Sequence, residues 1–177
     1  MIDDAGGIQW PYPATNPPSG NQRRLFEDGK FYHADGKAKF LFTEPVAMPE
    51  PPCSEYPLLL ITGRGTVSQW HTQTRTGKSS VLRKLYPQEC YVEIHPADAR
   101  KWGVEAQDLV TVQSRRGSLK ARAVISAAVG EGKLFIPMHY AATNQLTLPH
   151  FDPYSRQPSY KDCAVRIFVP GKERKLP

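Results

Sequence analysis

The chain has 177 residues, of which 40% are hydrophobic and 23% are charged, and its formal net charge is +6. This length and composition are typical of a globular domain with a real core. No apolar run in the sequence approaches the roughly 20 residues needed to span a membrane. We expect no signal peptide, because no basic region followed by an apolar stretch begins the chain.

Prolines dominate the first third of the chain. Nine of the 17 prolines lie within the first 57 residues, and each removes an N–H donor and fixes φ. Turn signals such as Asp28-Gly29 are closely spaced, yet large apolar side chains such as Trp10 are unlike a free linker. We therefore expect residues 1–44 to form an extended, irregular arm that packs on another surface, with a disordered tail as the alternative. Residues 45–57 are predicted to be a proline-rich linker.

Short β-prone runs characterise residues 58–170. A hairpin is predicted around a tip at residues 115–117. Six or so short strands with few helices predict a closed β-barrel, followed by a tail at residues 171–177. The predicted strands are 58–62, 91–94, 108–114, 118–125, 133–137 and 164–169.

Two short helices are expected within this region. One covers about Ser79–Leu85. The other follows His95, with Pro96 at its first position and Gly103 closing it.

A window without acidic residues surrounds the end of the first predicted strand. No Asp or Glu occurs between residues 56 and 88, and the window holds five basic side chains, three glycines and several hydroxyls. Glycines allow close approach of the backbone, N–H groups and hydroxyls donate, and arginine binds phosphate bidentately. The pattern predicts an anion site, with a solvated basic loop as the alternative, and it lacks the Walker and GxGxxG patterns. The basic residues are Arg64, Arg75, Lys78, Arg83 and Lys84.

Other candidate sites are weaker. The stretch from Asn144 to Lys161 mixes polar, rigid and apolar residues in a long loop, which is often functional, although an ordinary packed loop is the alternative. Five scattered histidines have no metal-ligand spacing, so no metal site is predicted. The three cysteines are far apart and favour a reducing compartment, so we expect a cytoplasmic protein.

Four groups of residues occur in an order found in one known family. The groups are Thr62-Gly63-Arg64 with Trp70-His71-Thr72 and Thr74-Arg75; Glu93 to Ala99; Leu109 to Gly117; and Asn144 with Leu146-Thr147, Asp152-Pro153, Gln157-Pro158 and Lys161. In this order they resemble the C-terminal cofactor-binding domain of the bis-molybdopterin guanine dinucleotide oxidoreductases, which include nitrate reductases and formate dehydrogenases. Two stretches of the arm, Gly7 to Pro11 and Leu25 to Ala38, resemble the part that precedes this domain in the same proteins, so the match covers about residues 6–169.

The resemblance implies a mainly β fold, a six-stranded double-psi β-barrel with short helices. It implies no catalytic residue and no metal ligand in this chain. Met138 and His139 would lie near the substrate funnel. The spacer between Arg64 and Trp70 is about one residue longer than the family pattern. The implied cofactor-binding residues are Thr62, Gly63, Arg64, Trp70, His71, Thr72, Thr74, Asn144 and Lys161.

The resemblance also implies a function, nearest to that of the nitrate reductases. The chain would be the C-terminal piece of a larger enzyme that reduces nitrate to nitrite in nitrate assimilation, and the isolated piece would be inactive. It would bind molybdenum bis(molybdopterin guanine dinucleotide) jointly with the remaining domains, which alone would carry any iron–sulfur cluster. One alternative is a formate dehydrogenase of the same family. Another is a free-standing basic barrel that binds anions or nucleic acid, although no series of stacking aromatics supports a nucleic-acid partner.

Overall fold

The structure is a computed structural model that describes residues 25–65 and 73–171. The chain divides into two compact units, Met1–Val46 and Ala47–Pro177.

Residues 25–46 of the first unit are built of turns and extended chain. The Asp28 carboxylate accepts a hydrogen bond from the N–H of Lys30 at 3.0 Å, and Gly29 has a φ of 69°. Glycine adopts this left-handed conformation without strain, so the predicted turn is confirmed. Further along, the side chains of Phe40, Leu41, Phe42 and Val46 are exposed. The packing of the arm on another surface stays a prediction.

Six strands in the second unit form a closed barrel, in close agreement with the predicted strands. The order around the barrel is β1-β5-β2-β4-β3-β6. The strands are β1 (Leu58–Gly63), β2 (Tyr91–Ile94), β3 (Leu109–Gln113), β4 (Ser118–Ile125), β5 (Lys133–Pro137) and β6 (Asp162–Phe168).

The strand order contains an internal twofold relation. β1 pairs in parallel with β5 and β2 with β4, whereas the other neighbours are antiparallel. Exchanging β1, β2 and β3 for β4, β5 and β6 leaves the order and the direction of every pair unchanged. The two halves of the barrel are therefore interleaved, as in a double-psi β-barrel, and the predicted fold class is confirmed.

Alternation of small or apolar and polar side chains builds the barrel wall. In β4 the side chains of Leu119, Ala121 and Ala123 are buried, whereas Ser118 and Lys120 are exposed. This period of two places one face of the strand in the core and the other in water. The same core is filled from the other strands by residues that are essentially inaccessible to solvent: Leu60, Val92, Ile94, Val110, Val112, Leu134, Ile136 and Val165.

The single α-helix of the described residues, α1 (Pro96–Trp102), has the predicted ends. His95 caps it, because its Nδ1 accepts a hydrogen bond from the N–H of Ala97 at 3.2 Å. Gly103 ends the helix with a φ of 63°, the left-handed conformation in which glycine is common. This prediction is confirmed.

The other predicted helix, Ser79–Leu85, is only partly formed. The structure has the short 3-10 helix Leu82–Lys84 within this range and a second one before it, Thr76–Lys78. Val81 and Leu85 are 66% and 62% exposed, so an α-helix here would have no apolar face to bury, and short helices depend on such packing. The Ser79 hydroxyl accepts a hydrogen bond from the N–H of Leu82 at 3.2 Å, as an N-cap residue does at the start of a helix.

Candidate functional site at one end of the barrel

The C-terminal end of β1 joins two distant segments. The N–H of Met138 donates to the carbonyl of Gly63 at 2.8 Å, and the N–H of Thr62 donates to the carbonyl of Lys161 at 2.8 Å. The buried Thr62 hydroxyl donates to the carbonyl of Tyr160, also at 2.8 Å. Four of the predicted site residues are therefore brought together here, and they come from the ends of β1 and β5 and from the start of β6.

Asn144 lies in a segment at residues 141–148 that begins as the 3-10 helix Ala141–Gln145, and we name this segment the Asn144 loop. It is fixed on both sides of Asn144. The hydroxyl of Thr143, which is fully buried, donates to the carbonyl of Pro137 at 3.1 Å. Leu146 is also fully buried and belongs to the core. Asn144 is exposed between these two anchors, and the Thr147 hydroxyl donates to its carbonyl at 3.1 Å. The loop thus presents the Asn144 amide on a rigid base.

A cavity of about 660 Å³ lies beside this loop, and we name it the Asn144 cavity. Its volume falls within the range of about 300–1,000 Å³ that is common for small-molecule sites, and it combines apolar walls with a few polar groups, as such sites do. Two predicted residues, Asn144 and Met138, line it. The full lining is Arg116, Met138, Asn144, Gln145, Thr147, Leu148, Pro149, Phe151, Pro158 and Tyr160.

Arg64 lines a different cavity, of about 480 Å³, which also contains Lys133 and Glu93. Burial raises the pKa of the Glu93 carboxyl. A carboxylate in this cavity would oppose an anion, whereas no Asp or Glu of residues 25–65 and 73–171 lines the Asn144 cavity. The Asn144 cavity is therefore the better candidate for an anionic ligand.

The pKa of the His139 imidazole is lower than its usual value. Burial is the larger cause, and the positive charge of the nearby Arg64 is the smaller one. Both ring nitrogens are shielded from solvent, and neither has a hydrogen-bond partner among the described residues. A neutral imidazole offers one donor and one acceptor, so this side chain has unused hydrogen-bonding capacity at the end of β5.

The remaining predicted site residues are placed less fully. Trp70, His71 and Thr72 lie outside the described residues. Thr74 is exposed in the turn that precedes the 3-10 turn Thr76–Lys78, and the Lys161 side chain is exposed at the start of β6.

Sequence reasoning missed a second window without acidic residues. Residues 132–151 contain no Asp or Glu, and they include the end of β5. Because β1 and β5 run in parallel, both acid-free windows leave the barrel at the same end. A diphosphate bound there would meet no carboxylate from either window.

Sequence reasoning also assigned Arg116 to a hairpin tip and no more. The structure confirms the tip, but the Arg116 side chain lines the Asn144 cavity and its Nε donates to the carbonyl of Leu146 at 3.0 Å. The two residues are 30 positions apart, and no local pattern relates them.

The residues present fit a ligand that combines planar rings with a diphosphate. The Asn144 cavity has apolar walls against which planar rings can pack, and the Asn144 amide can orient a bound ligand through hydrogen bonds. His139 adds two nitrogens that have no hydrogen-bond partner within the described part of the chain, and Lys161 adds a cation at the same end of the barrel. Among residues 25–65 and 73–171, no group of three or more His, Cys, Asp or Glu side chains could hold a metal ion. No helix of those residues is long and apolar enough to cross a membrane.

Known proteins are similar to this chain in sequence and in fold. The chain is 37% identical over 167 residues to the assimilatory nitrate reductase catalytic subunit of Bacillus subtilis, covering 92% of this chain and 23% of that protein. It is 38% identical over 175 residues to the nitrate reductase of Synechocystis, covering 94% of this chain and 24% of that protein. It is 32% identical over 168 residues to formate dehydrogenase H of Escherichia coli, covering 94% and 23%. The chain therefore spans less than a quarter of the length of these relatives.

The barrel also matches a solved structure. Acetylene hydratase from Pelobacter acetylenicus superimposes with a TM-score of 0.55 and 20% sequence identity, over 65% of this chain and 18% of that chain. At this identity the match shows a shared fold alone. A family model described as the "Molydopterin dinucleotide binding domain" matches residues 58–164. These residues contain the strands β1 to β5 and the beginning of β6. The chain belongs to the molybdopterin dinucleotide binding domain family.

Proposed function

We propose that this chain forms one wall of the site for a guanine dinucleotide arm of a bis-molybdopterin cofactor in a larger oxidoreductase. The observation that carries the proposal is the convergence of β1, β5 and the Asn144 loop on a barrel end that two acid-free windows surround. Such a setting favours the binding of phosphate groups, because backbone N–H groups and cations can reach them without competing carboxylates.

The residues would divide into those that bind and those that support. Asn144, Lys161 and Arg64 have exposed side chains that would be available to the ligand, whereas the ring nitrogens of His139 are shielded from solvent. The Thr62 hydroxyl already donates to Tyr160, so its main role would be to hold the end of β1. When bound, the molybdenum cofactor would supply the two-electron redox chemistry of the parent enzyme, with the protein supplying binding and electrostatics.

For the parent reaction we propose the reduction of nitrate to nitrite. The support is the higher identity to the two nitrate reductases, 37% and 38%, than to formate dehydrogenase H, 32%. The margin is narrow, because an F420-dependent formate dehydrogenase of Methanocaldococcus jannaschii reaches 36%. Formate oxidation is therefore the second candidate.

Two further features belong to the proposal. The chain alone would be inactive, and any iron–sulfur cluster would lie in other domains of the parent enzyme. The parent enzyme would be cytoplasmic, which the three free cysteines support because free thiols are usual in reducing compartments.

A direct test begins with the coding sequence upstream of Met1. We expect an open frame that encodes the domains present in the longer relatives, and an adjoining stop codon would contradict the fragment hypothesis. The complete protein would then be purified and its molybdenum, guanine nucleotide and activity measured. Bound molybdenum with nitrate reduction supports the first candidate, and bound molybdenum with formate oxidation supports the second.

The non-redox alternative has its own test. Single-stranded DNA would be titrated against the chain at low and moderate salt. Tight binding that falls steeply with salt, together with an absence of molybdenum in the complete protein, would favour a basic nucleic-acid-binding barrel instead.

A further inference from the structure

The side chain of Arg116 joins three parts of the second unit. Its Nε donates to the carbonyl of Leu146 at 3.0 Å, and its two terminal nitrogens donate to the two carboxylate oxygens of Glu50 at 2.9 and 2.6 Å. The Glu50 side chain is only 9% exposed, and it also accepts a hydrogen bond from the N–H of Ala164 at 3.2 Å. One guanidinium group therefore links the hairpin tip and the segment at residues 47–57 to the Asn144 loop.

This segment was predicted as a linker, but its contacts tie it to the barrel. Tyr56 is 7% exposed, and the guanidinium groups of Arg115 and Arg166 lie 4.8 and 5.5 Å from its ring centroid. Glu50 is thus held in a defined place from which it can orient Arg116.

The neighbouring Arg115 provides an internal comparison. It donates to the same carboxylate of Glu50 at 2.9 Å and to the sulfur of Cys53 at 3.2 Å, and its side chain is 44% exposed. Both arginines therefore bind Glu50, but the hydrogen bond to Leu146 comes from Arg116.

We propose that Arg116 is a positioning residue for ligand binding by the Asn144 loop, and that Glu50 orients Arg116 for this role. Because the Glu50 carboxylate neutralises its charge, Arg116 acts mainly through the bond to Leu146, two residues beyond Asn144. The inference rests on the proposed function, since a fixed Asn144 loop matters only if this loop binds the ligand.

The geometry requires a guanidinium group. Arginine presents its donors in a rigid planar fork, so one side chain can bind both Glu50 oxygens and the Leu146 carbonyl together. Lysine keeps the charge but has a single ammonium group on a flexible stem and cannot reproduce the fork. Arg116→Lys therefore separates the positioning role from the charge.

The test compares Arg116→Lys with the matched variant Arg115→Lys in the full 177-residue chain. The probe is guanosine diphosphate, measured by titration calorimetry, and amide hydrogen exchange is followed at residues 143–148. We expect Arg116→Lys to weaken binding of the probe about tenfold, the scale of one hydrogen bond of this kind, and to speed exchange in the loop. Arg115→Lys should change the affinity less than about twofold and leave loop exchange unchanged.

Equal effects of the two substitutions would overturn the proposal, because a purely structural role of the Glu50 cluster affects both variants alike. An unchanged affinity and exchange rate in Arg116→Lys would also overturn it. If the wild-type chain does not bind the probe, the proposed function is in doubt, but the exchange comparison still decides whether Arg116 positions the loop. If Arg116→Lys does not fold, Glu50→Gln replaces it, with faster loop exchange as the expected result and unchanged exchange as the contradicting one.

Discussion

Gly117 lies directly against the backbone of Gln145. A Cβ on this glycine would be only 3.0 Å from the Gln145 carbonyl oxygen. The hairpin tip and the Asn144 loop therefore pack without room for a side chain. We expect Gly117→Ala to lower the free energy of unfolding by about 1–3 kcal/mol, the usual range for overpacking against an atom that cannot move freely. Urea denaturation measures this change.

Gly130→Ala is the matched control for that substitution. A Cβ at Gly130 would lie 3.8 Å from Cδ of Lys133, an ordinary contact. This variant should be within about 1 kcal/mol of the wild type. Equal losses in the two variants would contradict the close packing of Gly117 on Gln145.

Thr62→Val should destabilise the barrel end. The substitution preserves shape but removes the hydroxyl that donates to Tyr160, leaving a carbonyl without its partner. The expected loss is about 1–3 kcal/mol in the free energy of unfolding. Thr62→Ser keeps the donor and serves as the control, and a Thr62→Val protein as stable as the wild type would refute the assigned role.

Arg64→Ala and Lys161→Ala should each reduce cofactor retention in the complete enzyme. Both substitutions remove an exposed cation from the ends of strands that form the candidate site, and removing one charge-assisted hydrogen bond to a phosphate weakens binding by roughly tenfold. Molybdenum and guanine nucleotide per polypeptide are measured after purification. Lys120→Ala, on the exposed face of β4, should keep the full content, and wild-type content in both site variants would exclude these residues as ligands.

His139→Gln should change how stability depends on pH. Burial and Arg64 lower the pKa of His139 in the folded state, so the unfolded chain binds this proton more readily. Its contribution to stability is complete above the unfolded pKa of about 6.5 and is lost as pH falls through the lower folded pKa. The variant should therefore lose less stability than the wild type as pH falls below about 6.5, measured by thermal unfolding across the pH range.

The loss of stability that Glu50 causes occurs at a lower pH than the loss that His139 causes, so the two can be distinguished. Its hydrogen bond with Arg116 is the main reason why the pKa of the Glu50 carboxyl lies below its usual value. Its contribution is present above the unfolded carboxyl pKa, about 4.3, and is lost as pH falls through the folded value. His139→Gln should leave this more acidic loss in place, and identical pH profiles for variant and wild type would contradict the burial of His139.

The strands were predictable because their signals are local. The alternation of Leu119, Ala121 and Ala123 with polar neighbours and the turn that ends at Gly117 occur within a few residues of each other. The caps of α1 are local as well, since Pro96 fixes φ at the first position of the helix and Gly103 permits the left-handed φ that ends it.

The failures arise where distant residues decide the outcome. The sequence predicts a helix over about Ser79–Leu85, but the side chains of Val81 and Leu85 remain exposed in the structure instead of packing on the core. Glu50 looked like a linker residue, although its partners Arg115 and Arg116 lie 65 and 66 positions away. Such ion pairs depend on how the barrel closes, which no short window of sequence records.

The interleaved strand order has a consequence for synthesis of the protein. β1 is made first, but its two neighbours are β5 and β6, so it has no partner until almost the whole barrel has left the ribosome. β3 and β4 can form a hairpin at once, whereas the non-local pairs must wait, and pairings of this kind fold slowly. The nascent chain therefore carries an apolar, unpaired β1 during most of the synthesis of the barrel, and this period is when it is most exposed to aggregation.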